Sequence, residues 1–209
     1  MKELQVQLHC LYGGGYASNC YLLSSGEHAI VIDPSLSLRD ACRALGTPLP
    51  HIDRIVLTHA HFDHILYLAE WRQQTGAPLA MHEYEAHALS DPSKTAFWQF
   101  LGRSDVFAPP EILLREGSVL TLGEEEIRVL HTPGHTVGSI CLLADGAIIT
   151  GDTVFTDGGF GRTDLYSGDE HALFASIKRL TALDVEGKMY PGHGPSGDFR
   201  SEMRCFMRY

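Results

Sequence analysis

The chain has 209 residues, of which 44% are hydrophobic and 20% are charged, a composition typical of a folded globular protein rather than a disordered or fibrous one. Sixteen Lys and Arg residues against twenty-six Asp and Glu residues give a formal net charge of −10. No basic cluster offers a track for a phosphate backbone, so we expect no nucleic-acid partner. Residues 1–15 lack the pattern of a secretion signal, and no apolar run reaches the roughly eighteen residues of a membrane span. We therefore expect a cytoplasmic protein with no membrane partner.

The first part of the chain predicts short strands that alternate with helices. The predicted strands, which are rich in β-branched and apolar residues, are 4–11, 19–23, 29–34, 52–58 and 78–81. Residues 36–45 and 65–74 have helical spacing, and the glycines that follow, Gly46 and Gly76, are expected to end these helices.

Residues 82–117 show no clear pattern, and they are either a lid or an irregular connection. Their aromatic side chains could form an apolar cover that recognises an acyl group, or they could pack against the core or a second subunit. These aromatic residues are Phe97, Trp98, Phe100 and Phe107.

The chain then returns to sheet, with one further predicted helix before the last predicted strand. The next predicted strands are 118–122, 126–131, 139–143, 147–150 and 188–190. Residues 169–183 are predicted to form a helix that Asp169 caps. Strands followed by a helix, seen twice, indicate two sheets packed face to face with helices outside. No linker interrupts the pattern, so we predict a single domain over residues 1–209.

Five cysteines are spread widely along the chain and form no Cys-x-x-Cys pair that would suggest a thiolate metal site or a redox centre. We expect all five to be reduced and buried. They are Cys10, Cys20, Cys42, Cys141 and Cys205.

Residues 58–64 (T-H-A-H-F-D-H) place three imidazoles and one carboxylate directly after a predicted strand. Side chains two residues apart in extended backbone face the same way, so His59 and His61 can reach one ion as a pair. Asp63 and His64 lie at the turn into the following helix and then point to a neighbouring position. Such ligands suit Zn²⁺, Fe²⁺ or Mn²⁺ better than Mg²⁺ or Ca²⁺, which prefer oxygen, and better than Cu⁺, which prefers sulfur.

Four ligands from one segment do not fill two coordination shells, so others must come from elsewhere. His135, Asp152 and His193 each follow a predicted strand beside a glycine, where the backbone can turn sharply and aim a short side chain inward. Any one of these residues could have a structural role, but seven ligand-type residues in four ordered motifs are not explained in that way. The sequence predicts a metal centre made of His59, His61, Asp63, His64, His135, Asp152 and His193.

These motifs resemble those of the metallo-β-lactamase superfamily, specifically its glyoxalase II-like branch, over residues 19–194. The resemblance implies an α/β fold (α+β in some schemes), an αββα four-layer sandwich with the site at one edge between the sheets. It implies a first metal ion bound by His59, His61 and His135. It implies a second metal ion bound by Asp63, His64 and His193, with Asp152 bridging the two.

Hydrolysis is the chemistry that such a pair of ions implies. Two metal ions about 3.5–4 Å apart can share a water, lower its pKa and polarise a carbonyl, so that a metal-bound hydroxide is the nucleophile. Asp63 and Asp152 are the predicted catalytic residues, Asp63 by orienting the hydroxide and Asp152 by joining the ions. Zinc is the expected metal, with iron or manganese as alternatives. Asp33, Thr58 and Thr153 are candidates for orienting the ligands, or have plain turn and strand-end roles.

Residues 157–165 (D-G-G-F-G-R-T-D-L) are similar to the G-G-x-G-R-x-D segment of small glyoxalase II-like enzymes, which cleave acyl-thiols such as S-lactoylglutathione. We therefore predict a thioesterase of hydroxyacylglutathione hydrolase type with a small acyl-thiol substrate. Arg162 and Phe160 are its candidate substrate-binding residues. Arg162 either steers an anionic substrate or forms an intramolecular salt bridge.

Three alternatives stay open. The first is a persulfide dioxygenase with a single iron, which the resemblance also fits. The second is another hydrolase of this fold that acts on an ester, a lactone or a β-lactam. Asp152 argues against those β-lactamases that have cysteine at that position. In the third alternative the metals only hold the fold together. Full-length glyoxalase II carries an extra helical domain that contacts glutathione, whereas fifteen residues follow Gly194 here, so glutathione itself is not a firm expectation.

Overall fold

Two six-stranded sheets organise the part of the chain that the computed structural model describes, residues 6–144 and 146–207. The first sheet has the strand order β1-β2-β3-β4-β5-β6, and its strands are β1 Gln7–Tyr12, β2 Asn19–Ser25, β3 His28–Ile32, β4 His51–Val56, β5 Leu79–His82 and β6 Ile112–Leu114. The second has the order β12-β11-β10-β9-β8-β7, and its strands are β7 Val119–Leu122, β8 Glu125–His131, β9 Ile140–Ala144, β10 Ala147–Gly151, β11 Lys188–Pro191 and β12 Gly197–Asp198.

Five α-helices and two short 3-10 helices join these strands within the described residues. The α-helices are α1 Leu38–Leu45, α2 Leu68–Thr75, α3 Phe97–Leu101, α4 Glu170–Thr181 and α5 Phe199–Phe206. The 3-10 helices are Ala86–Ser90 and Thr156–Gly158. The helix ends follow the sequence signals, because Gly46 and Gly76 adopt left-handed backbone conformations after α1 and α2 and the Asp169 side chain accepts from Ala172 N at the start of α4.

The core has three layers of apolar side chains, one between the sheets and one on the outer face of each sheet. In β3, Ile30 and Ile32 pack between the sheets, whereas Ala29 and Val31 face the layer under α1 and α2. Helices α4 and α5 cover the second sheet, where Leu173 and Phe199 are among the buried residues. Where both faces of a strand are covered, as in β2, β3 and β5, the strand is a nearly continuous run of buried residues, whereas β7 alternates exposed and buried positions. The predicted αββα sandwich is confirmed.

The sequence pattern does not predict β6, β12, α3 or α5. The strands among these have only two or three residues, too few to establish an alternating pattern, and α3 is a helix of five residues. Residues 82–117, left open between a lid and a connection, contain a 3-10 helix, α3 and β6. The first two residues of the predicted strand 4–11 lie outside the described residues.

The expectation that all five cysteines are buried is wrong for three of them. All five are free thiols, as expected, but Cys10 and Cys205 are exposed and Cys42 is half-buried. Cys10 lies on β1, the edge strand of the first sheet, where one neighbouring strand is missing. Within the described residues, no helix is long and apolar enough to cross a membrane.

Adjacent leucines on β6 give a test of the layer between the sheets. Leu114 is buried in that layer, whereas Leu113 on the opposite face is 55% exposed. We expect Leu114→Ala to lower the free energy of unfolding by about 2–5 kcal/mol, because it removes buried methyl groups and leaves a cavity. Leu113→Ala is the matched control and should change it by less than about 0.5 kcal/mol. Equal effects in chemical denaturation would contradict the assigned strand faces.

Candidate metal centre

Four strand ends from the two sheets place the candidate ligands at one edge of the sandwich. β4 ends at Val56 and leads into residues 57–64. In the second sheet, β8 and β10 run the same way because both are antiparallel to β9, and β11 is parallel to β10. Their carboxyl ends therefore meet at one edge, and the loops that follow carry His135, Asp152 and His193.

Three imidazoles form the first group. His61 Nδ1 lies 2.8 Å from His135 Nε2, which lies 3.1 Å from His59 Nε2. Nitrogens on one tetrahedral zinc ion, at about 2.0–2.1 Å from it, are about 3.4 Å apart, so these separations are close to those of a shared centre. The three side chains are buried, and this group could hold one metal ion.

A second group adjoins the first and shares a carboxylate with it. Asp63, His64 and His193 each offer an atom within 4.8 Å of the others, and His193 Nε2 lies 3.0 Å from Asp63 Oδ2. Asp152 Oδ1 lies 3.2 Å from His64 Nε2, and Asp152 Oδ2 lies 3.5 Å from His135 Nε2. The two oxygens of Asp152 thus face the two groups, and the structure brings together all seven residues that the sequence predicts.

The polar atoms that point into this cluster fit a bound cation. His64 Nε2 and Asp152 Oδ1 are buried and have no hydrogen-bond partner among the described residues. An unpartnered polar atom in the interior is destabilising, and such atoms usually have a partner that is a protein group, a water or an ion. His64 Nε2 and Asp152 Oδ1 lie side by side without a hydrogen bond, an arrangement that suits two ligands of one divalent ion.

The electrostatics of the cluster separate the imidazoles into two kinds. Burial lowers the pKa of His61 to about 3 and lowers the pKa of His59 well below its ordinary value, so both stay neutral and able to bind a metal near neutral pH. Burial acts in the same direction on His64, but Asp152 and Asp33 together raise the pKa of that imidazole well above its ordinary value. Burial would raise the pKa of Asp152, yet His64 and other imidazoles hold it low.

Hydrogen bonds behind the ligands fix which nitrogen faces the centre. The Asp33 carboxylate accepts from Thr58 N at 2.8 Å and from Thr58 Oγ1 at 2.7 Å, and it lies 2.8 Å from His64 Nδ1. Because the Thr58 hydroxyl donates to Asp33, it accepts from His59 Nδ1 at 3.1 Å. His135 Nδ1 donates to the Arg162 carbonyl at 2.7 Å. In all three imidazoles Nδ1 contacts the supporting group, so Nε2 is the nitrogen that faces the centre.

Asp33, whose carboxylate contacts Thr58 and His64, adopts an unusual backbone conformation. Its φ is 52°, in the left-handed region that residues other than glycine, asparagine and aspartate rarely occupy. The side chain is nearly fully buried, and each of its oxygens has a donor. Backbone strain at a buried residue that supports candidate ligands is typical of functional sites. Thr153, the third candidate for this supporting role, instead pairs with Thr132 Oγ1 at 2.9 Å.

Two supporting residues are absent from the sequence-based prediction. Glu85 is buried, and its carboxylate accepts from Ala60 N at 3.1 Å and Gly138 N at 3.0 Å, which ties the first motif to the loop after His135. Burial raises the pKa of Glu85, and these N–H donors oppose that effect. Asn19 Nδ2 donates to the Pro191 and Gly194 carbonyls, both at 2.9 Å, and so holds the loop that carries His193. No local sequence signal distinguishes either residue, because their partners lie far along the chain.

Gly192 is required where the His193 loop approaches the cluster. A Cβ at this position would lie 2.0 Å from Asp152 Oδ1 and 2.8 Å from His64 Cε1. Any side chain there would displace the carboxylate that the two groups share. The glycine of the Pro-Gly-His-Gly motif therefore leaves room for the centre rather than only permitting a turn.

A cleft of about 440 Å³ opens onto the cluster. Its floor is formed by His61, Asp63, His135, Asp152 and His193. Its other lining residues are Gly15, Tyr16, Phe62, Phe100, Phe155, Gly161, Arg162 and Leu165.

The two candidate substrate-binding residues differ in position. Arg162 lines the cleft, but its guanidinium forms two hydrogen bonds to the Asp164 carboxylate, at 2.6 and 2.7 Å. The intramolecular salt bridge, one of the two alternatives for this arginine, is therefore present. Phe160 is not among the described residues that line the cleft, and its ring packs against Phe174 with a centroid distance of 5.4 Å.

An αββα sandwich with a histidine and aspartate cluster at one sheet edge defines a class of metal-binding proteins, and comparison with known proteins identifies the family. The model of the metallo-beta-lactamase superfamily matches residues 13–193, so the chain belongs to that superfamily. A relative in Bacillus subtilis (strain 168), the probable metallo-hydrolase YqgX, is 34% identical over 196 residues, which are 90% of each chain.

Two crystal structures are similar over nearly their whole length. BLEG-1, a B3 metallo-beta-lactamase, has a TM-score of 0.87 at 31% identity, covering 95% of this chain and 97% of that one. TTHA1623 in a di-iron-bound form has a TM-score of 0.76 at 32% identity, covering 92% and 95%. Both support the assigned fold and superfamily.

The carboxylate of Asp33 gives a test of the support behind the ligands. We expect Asp33→Asn, which tolerates the left-handed backbone, to lower zinc affinity by about 10–100-fold, because His64 loses its charged partner and Thr58 loses its acceptor. The measurement is competition of metal-free protein with a chromophoric chelator. Asp40→Asn on the exposed face of α1 is the control and should bind zinc as the wild type does. Unchanged affinity in Asp33→Asn would show that Asp33 does not orient the ligands.

Proposed function

We propose that the chain is a dinuclear metal-dependent hydrolase whose substrates are small thioesters. The observation that carries the proposal is the pair of adjoining ligand groups that share Asp152 at the floor of an open cleft. In this proposal His59, His61 and His135 would hold one ion, Asp63, His64 and His193 would hold the other, and Asp152 would be available to both. Divalent ions held in this way would polarise the thioester carbonyl and make a water more acidic.

The chain's own residues would position the reactants and manage charge. Asp63 lies on the cleft floor, where its carboxylate can accept a hydrogen bond from the attacking water and orient it. Water adds to the carbonyl carbon, the carbon–sulfur bond breaks, and the products are a carboxylic acid and a thiol. The neutral His59 and His61 and the anionic Asp152 keep the cluster suited to cations throughout, since their charge states are set by burial and by their neighbours.

The preference for thioesters rests on residues 157–165, which resemble the Gly-Gly-x-Gly-Arg-x-Asp segment of the small glyoxalase II-like enzymes. In the structure this segment contributes to the centre directly, because the Arg162 carbonyl accepts from His135 and Gly161 lines the cleft. A Cβ at Gly161 would lie 2.0 Å from the Asp152 carbonyl oxygen, so the segment is closely packed on the ligand loops. The similarity to YqgX, a probable metallo-hydrolase, supports the broader reaction class.

Zinc and iron are both compatible with this ligand set. Imidazole nitrogens with two carboxylates suit either metal, and the similarity to TTHA1623 in its di-iron-bound form supports iron. β-Lactam hydrolysis is the second candidate function, because the similarity to the B3 metallo-beta-lactamase BLEG-1 covers almost the whole chain. A dioxygenase with one iron would need only one of the two ligand groups filled.

Metal content separates the dinuclear hydrolase from the dioxygenase with one iron. Protein purified without added zinc should contain about two ions per chain by elemental analysis, and removing them with a chelator should abolish hydrolysis until zinc, iron or manganese is restored. A single iron per chain, with oxygen consumed in the presence of glutathione persulfide, would identify the dioxygenase instead. Full activity after complete metal removal would overturn the proposal.

Asp152 gives the sharpest test of the reaction. Asp152→Asn keeps the shape of the side chain but removes the shared charge, so hydrolysis of acyl-thiols such as S-lactoylglutathione should fall by at least about 100-fold. Asp53→Asn, at the opposite end of strand β4, should retain wild-type rates. A panel of thioesters, esters, lactones and β-lactams assayed on metal-loaded protein identifies the substrate class. Turnover of β-lactams but of no thioester would exclude the thioesterase.

A further inference from the structure

We propose that Phe100 and its stacking partner Phe62 form a specificity wall that binds an apolar, aromatic-sized group of the substrate, next to the scissile carbonyl. This inference rests on the proposed function for the identity of the reaction, but the wall itself is argued from its own contacts. The wall lies among the described lining residues of the cleft, and the candidate ligands form the floor beside it.

The two rings of the wall come from different parts of the chain and lie nearly parallel and offset from each other. Their centroids are 5.1 Å apart and their planes are 17° from parallel. Phe62 belongs to the first ligand motif, between His61 and Asp63, so the wall begins directly beside the reacting atoms. Phe100 belongs to α3, in the aromatic stretch that the sequence leaves open between an acyl-group cover and core packing.

The position of α3 is held from behind by buried groups. Phe62 N donates to the Thr95 carbonyl at 2.8 Å, which ties the ligand motif to the residues that precede the helix. The Phe97 ring is fully buried, 6.1 Å from the Phe62 ring. Ala96 begins α3 with φ at 63°, a left-handed conformation that is unfavourable for alanine and persists only where surrounding packing imposes it. Phe100 is therefore held in place with 45% of its surface exposed.

The charges beside the wall favour an apolar ligand over an anionic one. Arg162 is the only lysine or arginine among the described residues that line the cleft. Its guanidinium is already paired with Asp164 through two hydrogen bonds and lies 5.8 Å from the centre of the Phe100 ring. A paired arginine stacked on an aromatic ring offers a flat surface more than a free positive charge. Tyr16, Phe155 and Leu165 extend the apolar lining.

Trp98 shows that exposure of an aromatic ring is not sufficient for this role. It lies on the same helix and is 63% exposed, yet it is not among the described residues that line the cleft. Helix α3 thus presents Phe97 to the core, Phe100 to the cleft and Trp98 to solvent. Trp98 is the matched control for Phe100.

The first test measures binding and does not depend on turnover. Metal-loaded protein is titrated calorimetrically with phenylacetate and acetate, the acid products of an aryl and a small acyl group, and with 2-phenylethanethiol and ethanethiol for the thiol side. Within each pair, dividing the affinity for the aryl compound by the affinity for the small compound cancels the contribution of metal binding. The ratio therefore reports the contribution of the wall to binding. We expect an aryl preference in at least one pair. Phe100→Ala should reduce that preference by about 3–10-fold, whereas Trp98→Ala and Phe100→Tyr should leave it unchanged.

The second test applies where hydrolysis is observed. The quantity measured is the ratio of kcat/KM for an aryl substrate to kcat/KM for a small one, determined once with the aryl group on the acyl side and once with it on the thiol side. In Phe100→Ala this ratio should fall by the same factor as the binding ratio. The side on which it falls identifies the group that contacts the wall. Phe100→Leu replaces the alanine variant if the latter fails to fold. No aryl preference in the wild type, or an equal loss with Trp98→Ala, would overturn the wall. Absence of any hydrolysis would overturn the proposed function alone, because the binding ratios still test the wall.

Discussion

The shared carboxylate of Asp152 is the constraint on which the rest of the site depends. It is almost fully buried, and its two oxygens face two groups of imidazoles that come from both sheets. A buried anion is stable only beside positive charge and donors, and His64, whose pKa is raised by Asp152 and Asp33, lies 3.2 Å from Asp152 Oδ1. The same arrangement is suited to divalent ions, so the interaction that keeps Asp152 ionised also prepares the cluster for metal binding.

Much of the surrounding structure serves to aim the ligands. Asp33 orients His64 directly and His59 through Thr58, Glu85 joins the loops on either side of the first group, and Asn19 holds the His193 loop. These contacts use a strained backbone at Asp33 and a buried carboxylate at Glu85, both unfavourable by themselves. Precise ligand geometry in this family member therefore depends on residues that bind no metal in the proposed centre.

We expect the side chains around the cleft, rather than the candidate ligands, to determine the choice of substrate. Superfamily membership and the fold are shared with proteins whose names point to different reactions, so they define what chemistry is possible rather than which substrate is used. The Phe62 and Phe100 stack and the paired Arg162 lie beside the cluster in the cleft. In the proposed function these side chains would contact the groups attached to the carbonyl, so we expect substrate choice to depend on them.

The sequence by itself determined the general architecture and the seven residues that the structure gathers into one cluster, because both follow from local patterns: alternating or continuous apolar strands, helix-ending glycines, and histidines and aspartates placed directly after strands. It did not determine Glu85 and Asn19 as supporting residues, the burial of individual cysteines, or the short elements β6, β12, α3 and α5. It also left Phe100 open between an acyl-group cover and core packing, and it gave no sign that Phe160 packs against Phe174 whereas Phe100 lines the cleft. Only the tertiary structure decided these points, since each depends on contacts between residues far apart in the chain, such as Asn19 with Gly194, which no local pattern records.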